Sequence, residues 1–434
     1  MKTLTIKNAC FGAAMVFSLG SAWAEDTSRT HSGSETELIT ADGLAAWVIE
    51  LNPGLAGLQA AAEAAAFHID AAGSLDDPTL SYGVAPLTAG TAGGLDQKVD
   101  FSQKLPWPGT LAAREAAARY DAVAAGSDVD ALRLRVIAQA KAAYAEWYYV
   151  HAALEIHHVT QALLEELITT TETRYAAGRA LKQDVLQAAI ESRDLDNSLL
   201  RLLRLKATVQ ARINALLNRA PDAALPRAKP ITVDSKLPSL GWLQALALAQ
   251  HPDLFRLNAR ISASASRVTL AEKALYPDFQ VGVGYNELWA NSDQRATFGV
   301  AINLPLDRGK RRSDLGRAQA EKRHAEWSLV ERRANLLADL AQARAEVSEA
   351  QDAIANYQDE LVPLAAEYLE AALADYQSGN GAFLNVITAE QRKLSTALAA
   401  ARVHADYVRR LAELERWAGG DIDPAQTAQP GEQQ

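Results

Sequence analysis

The side chains that most often carry chemistry are scattered along this chain. Of its eight histidines, His151, His157 and His158 come closest to a group, and the first and last are one heptad apart. Neutral imidazole is a common metal ligand, but helix packing and surface positions explain these three better. The sequence therefore predicts no metal site and no bound cofactor.

Catalytic motifs are absent as well. The chain contains no H-E-x-x-H, phosphate-binding glycine loop, G-x-S-x-G or Cys-His cluster. The net charge of −10 disfavours nucleic-acid binding, which needs a basic stripe. The sequence thus predicts no catalytic residue, no enzyme and no nucleic-acid partner. The order of its secondary-structure elements must therefore indicate the function.

The first 24 residues have the pattern of a secretory signal peptide. Lys2 and Lys7 precede a short apolar stretch, and Ala22-Trp23-Ala24 is a small-x-small cleavage site. A membrane anchor is the alternative, but about 20 apolar residues are needed to span a bilayer. The single cysteine, Cys10, lies in this leader, so disulfides and cysteine metal sites are excluded after cleavage. A flexible segment is predicted over 25–40.

The rest of the chain is a duplication. Three proline pairs are separated by the same interval of 199 residues: Pro53 and Pro252, Pro78 and Pro277, Pro106 and Pro305. Such a long interval indicates one whole subdomain copied, not a solenoid of small repeats. The predicted repeats cover 41–218 and 241–417, joined by a proline-marked linker over 219–240 and followed by a disordered tail over 418–434.

Each repeat contains two segments whose hydrophobic period is 2. In the second repeat, Phe279, Val281, Val283 and Tyr285 alternate with polar or small residues, and so do Phe298, Val300, Ile302 and Leu304. Strands are predicted over 78–87, 96–105, 277–287 and 295–305, each about the length of a tilted membrane strand. Two half-buried hairpins on a soluble core are the alternative. The small, uncharged polar face of the second hairpin favours the membrane.

Very long helices follow the strands. The sheet exits are marked by Pro106, Gly109, Pro305 and Gly309, since proline has no donor for a strand ladder. Helical pattern then runs over about 110–173 and 310–374, on the order of 100 Å each. Such helices need coiled-coil partners, and apolar residues at steps of 3 and 4 provide the seams. One seam is Ile354, Tyr357, Leu361, Leu364, Tyr368 and Ala371.

Two hairpins per chain cannot close a barrel, because four strands leave unpaired edges that hydrocarbon does not tolerate. Closure requires several copies, and a symmetric trimer would supply twelve strands. The predicted fold class is therefore mainly α with a small β part: a duplicated helix, β-hairpin, long helix and helix. We expect it to build a trimeric 12-stranded outer-membrane β-barrel continued by a long α-helical coiled-coil barrel.

This plan resembles the TolC family of outer-membrane efflux proteins over nearly all of the chain beyond the leader. The stretch Ser102-Gln-Lys-Leu-Pro-Trp-Pro-Gly109 is similar to the strand-to-helix junction of the heavy-metal (CzcC/CusC-like) branch. The resemblance implies a homotrimer in the outer membrane, in contact with its lipid, with a periplasmic domain. It also implies a periplasmic adaptor protein and an inner-membrane RND-type pump as partners.

The resemblance assigns roles to two helix-reversing turns, which glycine C-caps predict. They would be the periplasmic tips where the adaptor docks, with Leu181 and Phe383 offering apolar contact; plain helix–helix turns are the alternative. The tip residues are Tyr175, Gly178, Leu181, Tyr376, Gly379 and Phe383. The paired aspartates of the family's closure are replaced by Asn385 and Thr388, while Asp184 and Glu390 could still supply carboxylates to a gate.

The leading functional hypothesis is a passive duct in a tripartite efflux pump, with heavy-metal cations as one possible substrate. A type I protein-secretion or drug-efflux duct is the alternative in the same class. A periplasmic coiled-coil scaffold with soluble hairpins is the alternative in another class.

Overall fold

A computed structural model of the chain describes residues 38–85, 96–233, 236–287 and 295–422. The predicted signal peptide, most of the predicted flexible segment, the two hairpin loops and most of the predicted tail lie outside these residues. Two predicted boundaries are corrected. Residues 38–40 are ordered, since Ile39 is buried and pairs with the linker through Lys229 N and Ile39 O at 2.9 Å. The first tail residues also pack, with Ile422 buried in a core.

The two halves have the same order of elements. The first half contains α1 (Ala41–Leu51), α2 (Pro53–Gly73), β1 (Thr79–Ala85), β2 (Asp96–Leu105), α3 (Thr110–Ala176) and α4 (Lys182–Leu216). The second contains α5 (Leu240–Gln250), α6 (Pro252–Lys273), β3 (Asp278–Asn286), β4 (Ala296–Asn303), α7 (Arg308–Ala355), a π-helical turn (Asn356–Leu361), α8 (Val362–Ser378) and α9 (Phe383–Ala418).

Capping side chains start the helices where the sequence predicts. Asn52 precedes Pro53 and accepts a hydrogen bond from Leu55 N at 3.1 Å, which satisfies one of the free donors of the first turn of α2. The Asn52 side-chain amide also donates to Leu216 O at 3.2 Å, so the start of α2 is fixed to the end of α4. His251 caps α6 at the corresponding position of the second half.

The four strands form one antiparallel sheet in the order β1-β2-β3-β4. Its register places the apolar side chains on one face: Leu80 lies opposite Phe101, Phe101 opposite Val283, and Val283 opposite Phe298. The other face carries serines, glycines, Thr297 and the Lys98–Asp100 ion pair. The apolar face is open in the single chain; Phe298, for example, is 75% exposed.

The long helices pack around three buried clusters. The first joins α1, α3 and α4 to the linker, where Trp147 Nε1 donates to Pro226 O at 2.9 Å and Tyr144 donates to Lys229 O at 2.7 Å. The second joins α5, α7 and α9, and the third joins α3, α4, α8 and α9 near the far helix ends. None of the described helices has a stretch both long and apolar enough to cross a membrane.

The predicted seam of the second long helix is wrong beyond Ile354. Leu364 and Tyr368 are exposed, and the buried positions are Ala365, Leu369 and Ala372, each one residue later than predicted. The reason is the π-helical turn, in which Val362 N donates to Tyr357 O five residues back and one extra residue enters the helix. Pro363 follows directly and has no N–H for the regular ladder.

Candidate functional site

The two helix-reversing turns have the hydrogen bonds of a Schellman motif. Arg179 N donates to Arg174 O at 2.8 Å in the first turn, and Asn380 N donates to Asp375 O at 3.0 Å in the second. Gly178 and Gly379 have φ of 68° and 82°, where a side chain is strained. A Cβ at either glycine would meet no atom within 4 Å, so backbone conformation alone requires glycine there.

The two turns share one cleft. It has a volume of about 820 Å³ and is lined by residues of both turns, including Arg174, Arg179, Leu181, Asp184 and Leu384. Leu181 is 61% exposed, and Tyr175 and Leu384 are also exposed. The structure therefore presents apolar and basic side chains together at the far end of the helices.

Arg174 connects the two turns. Its guanidinium lies over the ring of Tyr376, 4.6 Å from the centroid, and Nη1 donates to Gln377 O at 3.2 Å. Tyr376 packs in turn against Phe383, with ring centroids 5.2 Å apart. The contact predicted for Phe383 needs correction, because Phe383 is 2% exposed and forms part of the third core. Leu384, the next residue, supplies the exposed apolar surface.

The four gate candidates do not form a group within one chain. Asp184 accepts a hydrogen bond from Leu181 N at 3.2 Å and therefore caps α4. Asn385 and Thr388 lie on the exposed side of α9, where the Thr388 hydroxyl donates to Leu384 O at 2.8 Å. Glu390 is buried two turns inside α9.

Glu390 has an unusual environment. Its side chain is 1% exposed, and Oε2 has no hydrogen-bond partner. The burial raises the pKa of Glu390 to about 7, the negative charge of Glu191 adds to that shift, and Lys393 opposes it. Glu191 itself accepts a hydrogen bond from Gln391 Nε2 at 2.7 Å. The neutral carboxylic acid is thus the form that this helix packing favours.

The first strand-to-helix junction is a contact between the two repeats. Gly109 has φ of 84° and precedes α3, and Trp107 N donates to Asp278 Oδ1 at 3.0 Å. The Trp107 ring stacks on Tyr276 with centroids 4.8 Å apart, and on Phe279 at 6.0 Å. The sequence identified the proline and glycine here but missed the aromatic stack.

The second junction is built differently. Gly309 was predicted as a second junction glycine, but it lies inside the first turn of α7, where Asp307 caps the helix by accepting from Lys310 N at 2.9 Å. Pro305 lies between β4 and this cap. Leu306 follows it and is 85% exposed.

The three histidines have separate surroundings. His157 is buried, with Nε2 2.7 Å from Leu195 O, and His151 Nδ1 lies 2.9 Å from Trp147 O. His158 is exposed. Among the residues that the structure describes, no three His, Cys, Asp or Glu side chains lie together as metal ligands.

A small sheet joined in duplicate to very long helical hairpins is the arrangement that the resemblance to outer-membrane efflux proteins predicts. Residues 243–420 match the sequence model of the family described as outer membrane efflux protein. This match covers the second predicted repeat and agrees with the resemblance inferred from the sequence.

Two relatives from sequence comparison fit this result. The outer membrane efflux protein BepC of Brucella suis is 25% identical over 286 residues, which is 62% of this chain and 60% of BepC. The toluene efflux pump outer membrane protein TtgF of Pseudomonas putida is 26% identical over 233 residues, 50% of this chain and 47% of TtgF. The chain thus spans less than two thirds of each relative.

The fold extends the likeness to nearly the whole described chain. The crystal structure of CusC aligns with a TM-score of 0.75 at 17% identity, covering 88% of this chain and 92% of that chain. The mainly helical fold with a small sheet, predicted from the sequence, is therefore confirmed.

Proposed function

We propose that the chain is the outer-membrane channel component of a tripartite efflux pump. In this role it is a passive duct, not an enzyme, and carries substrates from the periplasm or an inner-membrane pump to the exterior. The family match and the fold of the channel relatives support this role.

One observation carries the proposal: the sheet has an apolar face open to solvent and two unpaired outer edges. Within the described residues, β1 and β4 each pair on one side only. A large exposed apolar face is unfavourable in water, and unpaired strand edges are unfavourable in hydrocarbon. Both are resolved when several copies place their apolar faces in lipid and close the edges against one another. A trimer with twelve strands is the assembly we propose.

The cleft between the two turns is the proposed docking site for a periplasmic adaptor. Leu181, Tyr175 and Leu384 offer apolar surface there, and Arg174 holds the two turns in a fixed relation. An inner-membrane pump of the RND type would then be joined to the channel through this adaptor.

Heavy-metal cations are the proposed substrate class, supported by the junction stretch Ser102–Gly109. Organic solvents or drugs are the second candidate. The uncharged positions Asn385 and Thr388 favour them, because a ring without carboxylates does not select cations, and TtgF is named for a toluene pump.

Fractionation and a deletion strain test both levels of this proposal. We expect the protein in the outer-membrane fraction, with a gel mobility that changes on heating because a closed barrel resists detergent until heated. Deletion should sensitise cells to copper, silver, zinc, cobalt or cadmium salts. Sensitivity to dyes and detergents alone would contradict metal cations as the substrate class and favour organic compounds. A water-soluble monomer would contradict the channel itself and support a periplasmic scaffold.

A further inference from the structure

The start of α7 carries a concentration of positive charge that the helix itself does not explain. Arg308, Lys310, Arg311 and Arg312 fall within five residues of a chain whose net charge is −10. Within the described residues none of the four makes an ion pair. Cations at a helix N-terminus are opposed by the helix dipole, and the cap residue Asp307 supplies one negative charge against these four positive ones.

The duplication provides a comparison. A shift of 199 residues places Arg308–Arg312 on Gly109–Ala113, a stretch without any charge. The first junction instead packs against the second repeat through Trp107, and this contact closes the boundary between β2 and β3. The start of α3 therefore has no cation of its own in these five positions, although Lys273 at the end of α6 lies beside Gly109. The second junction is more open, with Leu306 85% exposed, and its helix start has four cations of its own.

The same shift predicts how β4 of one copy pairs with β1 of another, because these two strands correspond to β2 and β3 within one chain. Within the chain, Lys104 of β2 lies opposite Gln280 of β3, and Phe101 opposite Val283. Adding 199 to the residue numbers of β2 and subtracting 199 from those of β3 gives the corresponding pairs of β4 and β1. Asn303 then lies opposite Ser81, and Val300 opposite Val84. This register keeps apolar residues with apolar residues on one face, as an assembled sheet requires.

Continuing past the strand ends, this register brings the basic start of α7 to the segment before β1 of another copy. That segment contains Asp76 and Asp77, which are exposed and form no ion pair within the described residues. Their charge is complementary to that of Arg308–Arg312. Leu304 and Leu80, both exposed in the single chain, would lie opposite each other beside them.

We propose that Arg308–Arg312 of one copy binds Asp76 and Asp77 of a second copy of this chain, with β4 and β1 paired so that Asn303 lies opposite Ser81. The proposal rests on the proposed channel function and names the chemistry of its subunit boundary. Salt bridges of this kind set register and partner orientation more than they add stability.

Cysteine cross-linking tests the register, because the only natural cysteine is Cys10 in the leader. Glu287 N donates to Gln97 O at 2.9 Å, so these two opposite residues form a hydrogen-bonded pair. Because the two kinds of pair alternate, the hydrogen-bonded pairs of β2 are at its odd-numbered residues. Lys104 and its counterpart Asn303 are therefore in the non-hydrogen-bonded class, whose side chains are closest. We expect full-length Asn303→Cys/Ser81→Cys protein to give covalent multimers on non-reducing gels. The matched control Ala301→Cys/Ser81→Cys, displaced by two residues, should give few or none, since its Cβ atoms are too far apart.

Charge reversal tests the ion pairs. Asp76→Lys/Asp77→Lys should reduce Asn303→Cys/Ser81→Cys cross-linking several-fold, and adding Arg308→Glu/Arg311→Glu should restore it. Reversing Arg317 and Arg323, further along α7, should not restore it.

Three outcomes would overturn the proposal. Cross-linking of the displaced pair would overturn the register, and failure of the compensating reversal would overturn the ion pairs. Dependence of the assembly on anionic phospholipid, with no response to the aspartate changes, would assign the cations to lipid headgroups. Each result applies to protein found in the outer-membrane fraction, whereas a soluble monomer would refute the proposed function as well.

Discussion

At the scale of single residues, Glu390 is the side chain whose surroundings differ most from those of an ordinary helical carboxylate. It lies among the helices α3, α4, α8 and α9 that meet above the cleft, without a hydrogen bond to Oε2. The charged groups that act on it are Glu191 from α4 and Lys393 from its own helix. Its ionisation is therefore coupled to the packing of the two helical hairpins.

The pH dependence of stability should report this coupling. The pKa of Glu390 is raised from its ordinary value of 4.5 to about 7, so the folded state holds the proton more tightly than the unfolded chain. Its stabilising contribution is complete below about pH 4.5 and is lost as the pH rises towards 7. We expect Glu390→Gln to remove this loss, roughly 1–3 kcal/mol, in thermal unfolding measured in detergent from pH 5 to 8.

Glu367→Gln is the matched control, since Glu367 is an exposed carboxylate on α8. It should keep the pH profile of the wild type. A wild-type stability that does not fall between pH 5 and 7, or an equal effect of both substitutions, would refute the assignment.

At the scale of elements, most of the architecture could be predicted and the side-chain environments could not. The alternation from Phe279 to Tyr285 predicts β3 because its period of 2 is local. The seam after Ile354 was predicted one residue too early, because the π-helical turn changes which face is buried. The burial of Phe383 and Glu390 was missed because their neighbours lie on helices distant in sequence, and periodicity does not specify how hairpins meet.

Lys141 is one of the side chains that join elements of the two repeats. From α3, its Nζ lies 2.8 Å from Asp42 of α1 and 2.6 Å from Glu415 of α9. Lys141 and Glu415 are both 14% exposed. We expect Lys141→Met to lower the free energy of unfolding by roughly 3 kcal/mol, because it leaves Glu415 buried without a counter-charge. Chemical denaturation of the detergent-solubilised chain measures this.

The double variant Lys141→Met/Glu415→Leu should recover most of that loss, since no charge then remains buried. Arg409→Met, which breaks the exposed Arg409–Asp406 pair, should cost less than about 1 kcal/mol. If the double variant were as unstable as the single one, the loss would come from packing and not from charge.

At the scale of the whole molecule, the two faces of the sheet should have opposite tolerance for charge. Val300 and Ala301 are neighbours in β4, and only Val300 lies on the apolar face. In a membrane barrel, Val300→Arg should cost roughly 2–4 kcal/mol, whereas Ala301→Arg should be tolerated on the lumen side. The heat-modifiable assembly recovered from the outer membrane measures both. Equal tolerance of the two substitutions would contradict a lipid-facing sheet.

The π-helical turn is found in one of the two long helices and not in α3, which runs without interruption from Thr110 to Ala176. Because the π-helical turn interrupts the regular hydrogen-bond ladder of the helix, we expect the helix to bend there first. The α8 arm beyond the joint has 17 residues, or about 25 Å at 1.5 Å per residue. Swinging it by about ten degrees would carry the second turn some 4 Å sideways while α3 kept the first turn still. The two halves of this duplicated chain are therefore expected to differ mechanically: the second half can bend at its π-helical turn, whereas α3 keeps the first half straight.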